Sequence, residues 1–499
     1  MRNSRLNIPL PALSRRSFLL SLSELTAAGL IEPQLVAGVL AGKRDLGRLA
    51  VQPPSAEGTW SSIKVEGSIP NDLNGTLYRV APGQKMNHGV QLRHFFDGDA
   101  LLVKYRLREG KATVSARFVE TPERIEESAA GSMLYNEFGT LAPAPARGFK
   151  NQPSVNVIRW DGRLLALSEG GHPSAVNEET LAFEGYWDFH GTLPKDMSFT
   201  AHPKFDPETG VGYAFGTHKD RDLALRVYRM ELDGRLTQIA AIPQPDYFMV
   251  HDMLLGSEHL VIVVPPVHYD LASLFAGQVT PADALRYGAT EPTRLIVLRK
   301  DGTGDPMILE QPAGMVFHHG NLAEAGDTMT MDSLLSPDDS TLRHLAAWST
   351  SNPPQAQPTQ LTRLTLDLKQ KQVTGRTVLS EGQEFPRFDT RMSGKAARHL
   401  YTMQGENFTQ QTLVRHDFAS KTTQRVDAGA GHAFEEAVFV PRLGKSGEDE
   451  GWLLHQGYSA DRNETYLDIR DAATLDRAAR VWTGQHFPIG FHGNFYYDV

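Results

Sequence analysis

Four times in the first two-thirds of the chain an acidic residue and a glycine interrupt strand-like runs. Glu109-Gly110 follows Leu102–Leu107, and Asp161-Gly162 lies between Val155–Trp160 and Leu164–Leu167. Asp233-Gly234 follows Leu223–Leu232, and Asp301-Gly302 follows Leu295–Arg299. Such a pair between apolar or alternating runs is the strongest short-range hairpin signal, because both residues tolerate the positive φ a tight turn needs. Helical periodicity is scarce; its best stretches are the N-terminal segment and Leu271–Leu285. Many antiparallel hairpins in 499 residues, with no linker-like interruption after about residue 55, predict one all-β domain over 55–499. Its architecture is a sandwich array or a large closed form such as a propeller. No WD or kelch period is present, so internal repetition does not decide between them.

Composition removes several classes of chemistry. There are no cysteines, so disulfides, thiolate metal sites and cysteine nucleophiles are excluded. Any metal must be held by His, Asp or Glu. A formal net charge of -9 gives no electrostatic ground for nucleic-acid binding. Ser14-Arg15-Arg16-Ser17-Phe18-Leu19-Leu20 opens a moderately apolar run to about Gly42, which resembles a twin-arginine export signal. That reading of residues 1–42 implies a periplasmic protein exported already folded. The other reading is an N-terminal helix capping the domain of a cytoplasmic protein. No other stretch approaches the roughly 18 to 20 apolar residues of a membrane span.

The chemistry-bearing residues are histidines. Gly314-Met-Val-Phe-His-His-Gly-Asn321 sets two adjacent histidines between an apolar run and a Gly-Asn turn. A histidine there has three readings: core residue, acid/base group or metal ligand. His202 stands in Ala201-His-Pro-Lys204, His251 opens His251-Asp-Met-Leu-Leu255, and His492 lies in Pro488-Ile-Gly-Phe-His-Gly-Asn-Phe495. Four histidines in four distinctive motifs, spread over most of the chain, predict one central metal held by several strands. Imidazoles alone leave its identity open among Fe, Zn, Cu and Ni. A glycine beside a histidine permits the close backbone approach that a crowded site needs.

Together these motifs resemble the carotenoid cleavage oxygenase family, in particular its bacterial apocarotenoid oxygenases, from about Gly67 to the C-terminus. Gly75-Thr-Leu-Tyr-Arg79 with Pro82-Gly83 is similar to the family's opening strand, and Phe95-Phe-Asp-Gly-Asp-Ala100 to its Phe-Asp-Gly-Asp signature. Ala201-His-Pro-Lys, His251-Asp, Phe317-His-x-x-Asn321 and Phe491-His-Gly follow in the family's order. The resemblance implies a seven-bladed β-propeller with a dome of loops and helices over its metal-bearing face. It implies Fe(II) on the axis, bound by His202, His251, His318 and His492, with His319 a neighbour that packs or hydrogen-bonds. It also implies three glutamates behind the ligands: Glu169, Glu384 and Glu436. Ala437 stands where the family usually has Pro, and Glu435 is adjacent, so the third assignment is the ambiguous one. For any single Glu the other reading is a solvated surface charge.

The implied reaction adds O2 across a carbon–carbon double bond of a carotenoid or apocarotenoid and yields two carbonyl products. An apolar polyene would lie in a dry tunnel, for which Tyr135, Phe138, Phe149, Trp187 and Phe275 are candidate lining residues. The stretch 267–276 carries Leu271, Leu274 and Phe275; by resemblance it dips into a membrane to extract substrate, and otherwise it is a helix packed on the surface. Within the family, stilbene-cleaving members have a Lys before the first of these glutamates, where this chain has Ser168. A non-cleaving isomerase and a ligand-binding propeller are further alternatives.

Overall fold

Asp161 and Gly162 have φ of 50° and 65°, and Glu109 and Gly110 have φ of 51° and 72°. Both pairs therefore make two-residue turns of the mirror-image type that matches strand twist, closing Trp160 on Arg163 and Arg108 on Lys111. Asp233-Gly234 and Asp301-Gly302 sit instead in longer loops, between Ala224–Met230 and Leu236–Pro243 and between Thr293–Arg299 and Met307–Gln311. The turn positions agree with the sequence reading; two of the turn lengths do not.

The structure is a computed structural model describing residues 43–143, 145–217, 223–277, 279–350, 352–406 and 409–498. The segment read as a twin-arginine signal, 1–42, lies outside the described residues. Strands assemble into seven antiparallel units of four, the architecture of a seven-bladed β-propeller. The first unit is Gly58–Trp60, Lys111–Phe118, Ala100–Arg108 and Gly75–Pro82, with Gly493–Tyr497 added along its inner edge. The second runs from Asn156–Trp160 to Phe183–Tyr186, the third from Lys204–Phe205 to Leu236–Pro243, and the fourth from Met253–Leu255 to Met307–Gln311. The fifth runs from Met315–Ala325 to Gln372–Glu381. The sixth (Gln383–Arg387 to Thr422–Asp427) and seventh (Val438–Pro441 to Arg477–Trp482) are joined through His432–Phe434.

Both ends of the chain fasten this arrangement. Gly493–Tyr497 pairs with the opening strand, Gly75 opposite Tyr497, while Lys64–Gly67 pairs with Arg477–Trp482. Separate apolar clusters fill the spaces between neighbouring units, such as Phe215, Val227, Ile262 and Ile296 between the third and fourth. Each cluster needs both neighbours to be dry, so burial couples the units around the ring.

Loops and short helices form the dome. Pro122–Ala130 is capped by Thr121 and ended by Gly131 at φ 63°. The helical stretch read over Leu271–Leu285 is two short helices, Leu271–Phe275 and Pro281–Ala284, followed by the strand Leu285–Tyr287. Gly277 at φ 67° ends the first, and Thr280 with Pro281 starts the second. Phe95 packs its ring against Trp348 and Phe491, and Phe96 packs against Phe317, so the dome covers the ends of the inner strands where the histidines lie.

Candidate metal centre

Each of the seven units contributes one side chain to the site, four histidines that meet and three glutamates behind them. His492 immediately precedes Gly493–Tyr497 in the first unit, His202 precedes Lys204–Phe205 in the third, His251 precedes Met253–Leu255 in the fourth, and His318 lies within Met315–Ala325 in the fifth. Glu169, Glu384 and Glu436 come from the second, sixth and seventh. This explains why the motifs are spread over almost the whole sequence: an axial site takes one residue per unit.

The four histidines converge, with one ligand atom from each lying within 4.8 Å of all the others. Nε2 of His202 is 3.0 Å from that of His251, His251 is 3.3 Å from His318, and His318 is 3.0 Å from His492. On the outer side, Nδ1 of His318 donates to Glu384 at 2.6 Å and Nδ1 of His492 donates to Glu436 at 2.8 Å. Glu169 is paired with Nδ1 of His251. A carboxylate behind Nδ1 fixes the proton there and turns the Nε2 lone pair inward. Burial pushes His492 down to about 3 and His202 well below the usual histidine range, so both rings are neutral. Ring nitrogens gathered this closely, with carboxylates on the outer side of three of the rings, form a donor set that a cation between them would satisfy. The four-histidine group therefore suits a metal ion.

Burial disfavours the charged form of His251 too, but the charge and hydrogen bond of Glu169 outweigh it and raise this ring's pKa. Glu436 is held far below the usual carboxylate range in spite of its burial, chiefly by Arg387, then by His492. Arg387 donates to both of its oxygens at 2.8 Å, and Arg79 adds a third contact at 2.9 Å. Glu435 points the other way, to Arg79, Gln456 and the backbone of Gly490. In the connection between His432–Phe434 and Val438–Pro441, only Glu436 meets His492, which separates the two glutamates that sequence alone left ambiguous.

The remaining motif residues hold the site's loops. Lys204, two places after His202, pairs at 2.7 Å with Asp252, next to His251. Asp252 accepts from the His319 backbone at 3.1 Å, and the His319 ring is paired with Ser333 Oγ at 2.8 Å. Asn321 donates to the carbonyls of Met392 and Lys395. Phe385, beside Glu384, has φ 54°, an unusual value for a bulky residue. Its ring packs against His318 and His492 with centroid separations of 5.3 and 5.5 Å. A Cβ on Gly493 would stand 2.1 Å from the Tyr78 carbonyl. The glycine beside His492 thus serves the approach of the last strand to the first.

The aromatic surroundings differ from the lining read in the sequence. Phe138 packs against Phe96, which contacts Phe317 and Phe491, and Phe317 lies 5.2 Å from His251. Tyr135 instead donates its hydroxyl to Glu126 at the surface, and Phe149 is 49% exposed. Trp187 packs beside Phe189 with Arg163 over its ring. These three do not join the rings around the histidines, and the side chain of Phe275 lies outside the described residues. Phe96, Phe317, Phe491 and Phe385 do join them. Each stands within or beside a motif already singled out, and that adjacency is what marks it in the sequence.

Residues 51–497 match the family model for "Retinal pigment epithelial membrane protein". The chain is 29% identical to the apocarotenoid-15,15'-oxygenase of Synechocystis, over 86% of this chain and 92% of that protein. It is 27% identical to resveratrol cleavage oxygenase 1 of Aspergillus fumigatus, over 89% and 94%. A crystal structure of the cobalt-substituted Synechocystis enzyme superposes with a TM-score of 0.83 at 27% identity, covering 91% of this chain and 99% of that one. The chain belongs to the retinal pigment epithelial membrane protein family, that of the carotenoid cleavage oxygenases.

Proposed function

We propose that the protein is an Fe(II)-dependent dioxygenase cleaving a carbon–carbon double bond of a carotenoid or apocarotenoid. The observation that carries this reading is the set of four inward Nε2 atoms backed by three carboxylates. His202, His251, His318 and His492 would hold the iron, and it would supply the one-electron chemistry that lets O2 react with a closed-shell alkene. Each carbon of the cleaved bond takes one oxygen atom, so the reaction balances with no further reductant.

The chain's own part is to bind, orient and keep water out. Glu169, Glu384 and Glu436 hold the Nδ1 side of three of the imidazoles and keep those rings aimed. Phe96, Phe317, Phe491 and Phe385 offer flat apolar surfaces beside the site, which suit a conjugated chain and exclude water. An apolar polyene fits better than a phenolic stilbene, because Ser168 carries no charge for a phenolate and donates to Asn151 at 2.7 Å. Residues 267–276 form a short strand and helix whose Leu271 and Leu274 are half-buried, which leaves apolar surface for a contact with the membrane holding the substrate. The export reading of residues 1–42 places a single catalytic domain, 55–499, in the periplasm.

The test is anaerobic loading with Fe(II), then incubation under 18O2 with an apocarotenal and, separately, a hydroxystilbene. Two labelled carbonyl fragments from the apocarotenal are expected in the mass spectrum. Labelled fragments only from the stilbene would move the substrate to phenolics. An isomerised polyene with no label would make the protein an isomerase.

A further inference from the structure

The Phe95–Ala100 signature is not absorbed by the metal site, and the residue before it, His94, is fixed in an unusual way. Its ring nitrogen Nδ1 accepts from the Phe96 backbone N–H at 3.1 Å, so the ring proton sits on Nε2. Its own N–H donates to Asp97, whose carboxylate also accepts from Thr140 and from the Gly139 backbone. Gly139 approaches so closely that a Cβ there would lie 2.2 Å from the His94 Cβ. The bond from Phe96 and the close Gly139 backbone orient the ring. Burial pushes His94 down to about 3, so it stays neutral.

Nε2–H has no hydrogen-bond partner among the described residues, and it is not one of the nitrogens sealed from open space. The His94 ring packs edge-on against Phe96 and Phe138, with centroid separations of 4.8 and 5.0 Å. Phe96 leads on to Phe317 at 6.3 Å, and Phe317 to His251 at 5.2 Å. An oriented ring with a free donor thus stands beside an apolar row of rings that reaches to the histidine cluster. Phe96 and Phe138 are only half-buried while Phe317 is buried, so the accessible faces of the row lie at its His94 end.

We propose that His94 is a specificity-determining residue, whose Nε2–H donates to the terminal oxygen of an oxygen-ended polyene lying along the Phe96 and Phe317 rings. The ligand class is a polyene aldehyde or alcohol, as opposed to a pure hydrocarbon. This rests on the polyene reading above, and its test uses binding to metal-free protein so that the two fail separately.

Full-length metal-free protein is titrated, by quenching of its tryptophan fluorescence, with an apocarotenal and with a hydrocarbon polyene of equal conjugation. Wild type is expected to favour the aldehyde by about tenfold, the size of one hydrogen bond that would otherwise stay unmade. Asn places an oxygen where Nδ1 stands, keeping the bond from Phe96 and removing the donor; Gln places an amide nitrogen where Nε2 stands and does the reverse. His94→Asn is therefore expected to erase the preference and His94→Gln to keep it. The opposite pattern, with His94→Asn like wild type and His94→Gln impaired toward both ligands alike, makes His94 a loop support only and overturns the proposal. Equal binding of both ligands by wild type also overturns it while sparing the polyene reading; binding of neither overturns both. Should a variant fail to melt cooperatively, the Raman carbonyl stretch of the aldehyde bound to wild type decides. A downshift from its value in hydrocarbon solvent supports the donor, and no shift refutes it.

Discussion

At the scale of single residues the site works by fixing protons. Glu384 holds the Nδ1 proton of His318, and Glu436 that of His492, so the metal-facing nitrogens are free. Glu384→Gln keeps the shape but weakens this hold, and a 10- to 100-fold loss of metal affinity is expected in competition titrations. Substituting Glu435 by Gln should leave that affinity far less changed, since its carboxylate faces Arg79 and Gln456. The raised pKa of His251 gives a pH dependence. In the metal-free protein, protonated His251 paired with Glu169 adds stability that is present below the unfolded histidine pKa of about 6.5 and fades as pH rises through the raised value. The same proton occupies Nε2 and competes with the metal. Metal affinity measured across that range should therefore rise with pH, and the slope should flatten in Glu169→Gln.

At the scale of elements, positions were more legible in the sequence than lengths. Asp161-Gly162 and Glu109-Gly110 announced their turns because both residues of each pair take positive φ. Asp233-Gly234 did not disclose its longer loop, because only Gly234 is left-handed there. Leu271–Leu285 has helical spacing on both sides of Gly277, but Thr280-Pro281 is a start signal within it, and local capping outweighed the periodicity. The last strand is bounded by sterics as much as by pairing. Gly493→Ala would drive a Cβ into the Tyr78 carbonyl, and a loss of about 2–3 kcal/mol is expected in denaturant unfolding. Because His492 precedes that strand, the same variant should also lose metal.

At the scale of the whole molecule, the site was readable where a motif carried it and opaque where only packing did. The histidines stand in short sequences unlike their surroundings, so the convergence of His202, His251, His318 and His492 followed from the motifs. The carboxylates were legible through family resemblance, and the choice between Glu435 and Glu436 required knowing which of them meets His492. Tyr135, Phe149 and Trp187 could not be separated from Phe96 and Phe317 by composition, since what distinguishes them is which ring meets which across the ring of units. The same geometry makes metal binding a global event. Histidines from four units would be drawn to one ion, so metal at 100 times its dissociation constant should stabilise the fold by about 2.7 kcal/mol. The melting temperature should rise accordingly in wild type and stay unmoved in His202→Ala.

X-ray absorption at the iron edge of protein loaded anaerobically with Fe(II) tests the central claim most directly. One iron per chain is expected, with nitrogen donors carrying the multiple-scattering signature of imidazole and with that signature reduced in His251→Ala. An oxygen-only shell, or a spectrum unchanged when any of the four histidines is replaced, would contradict it.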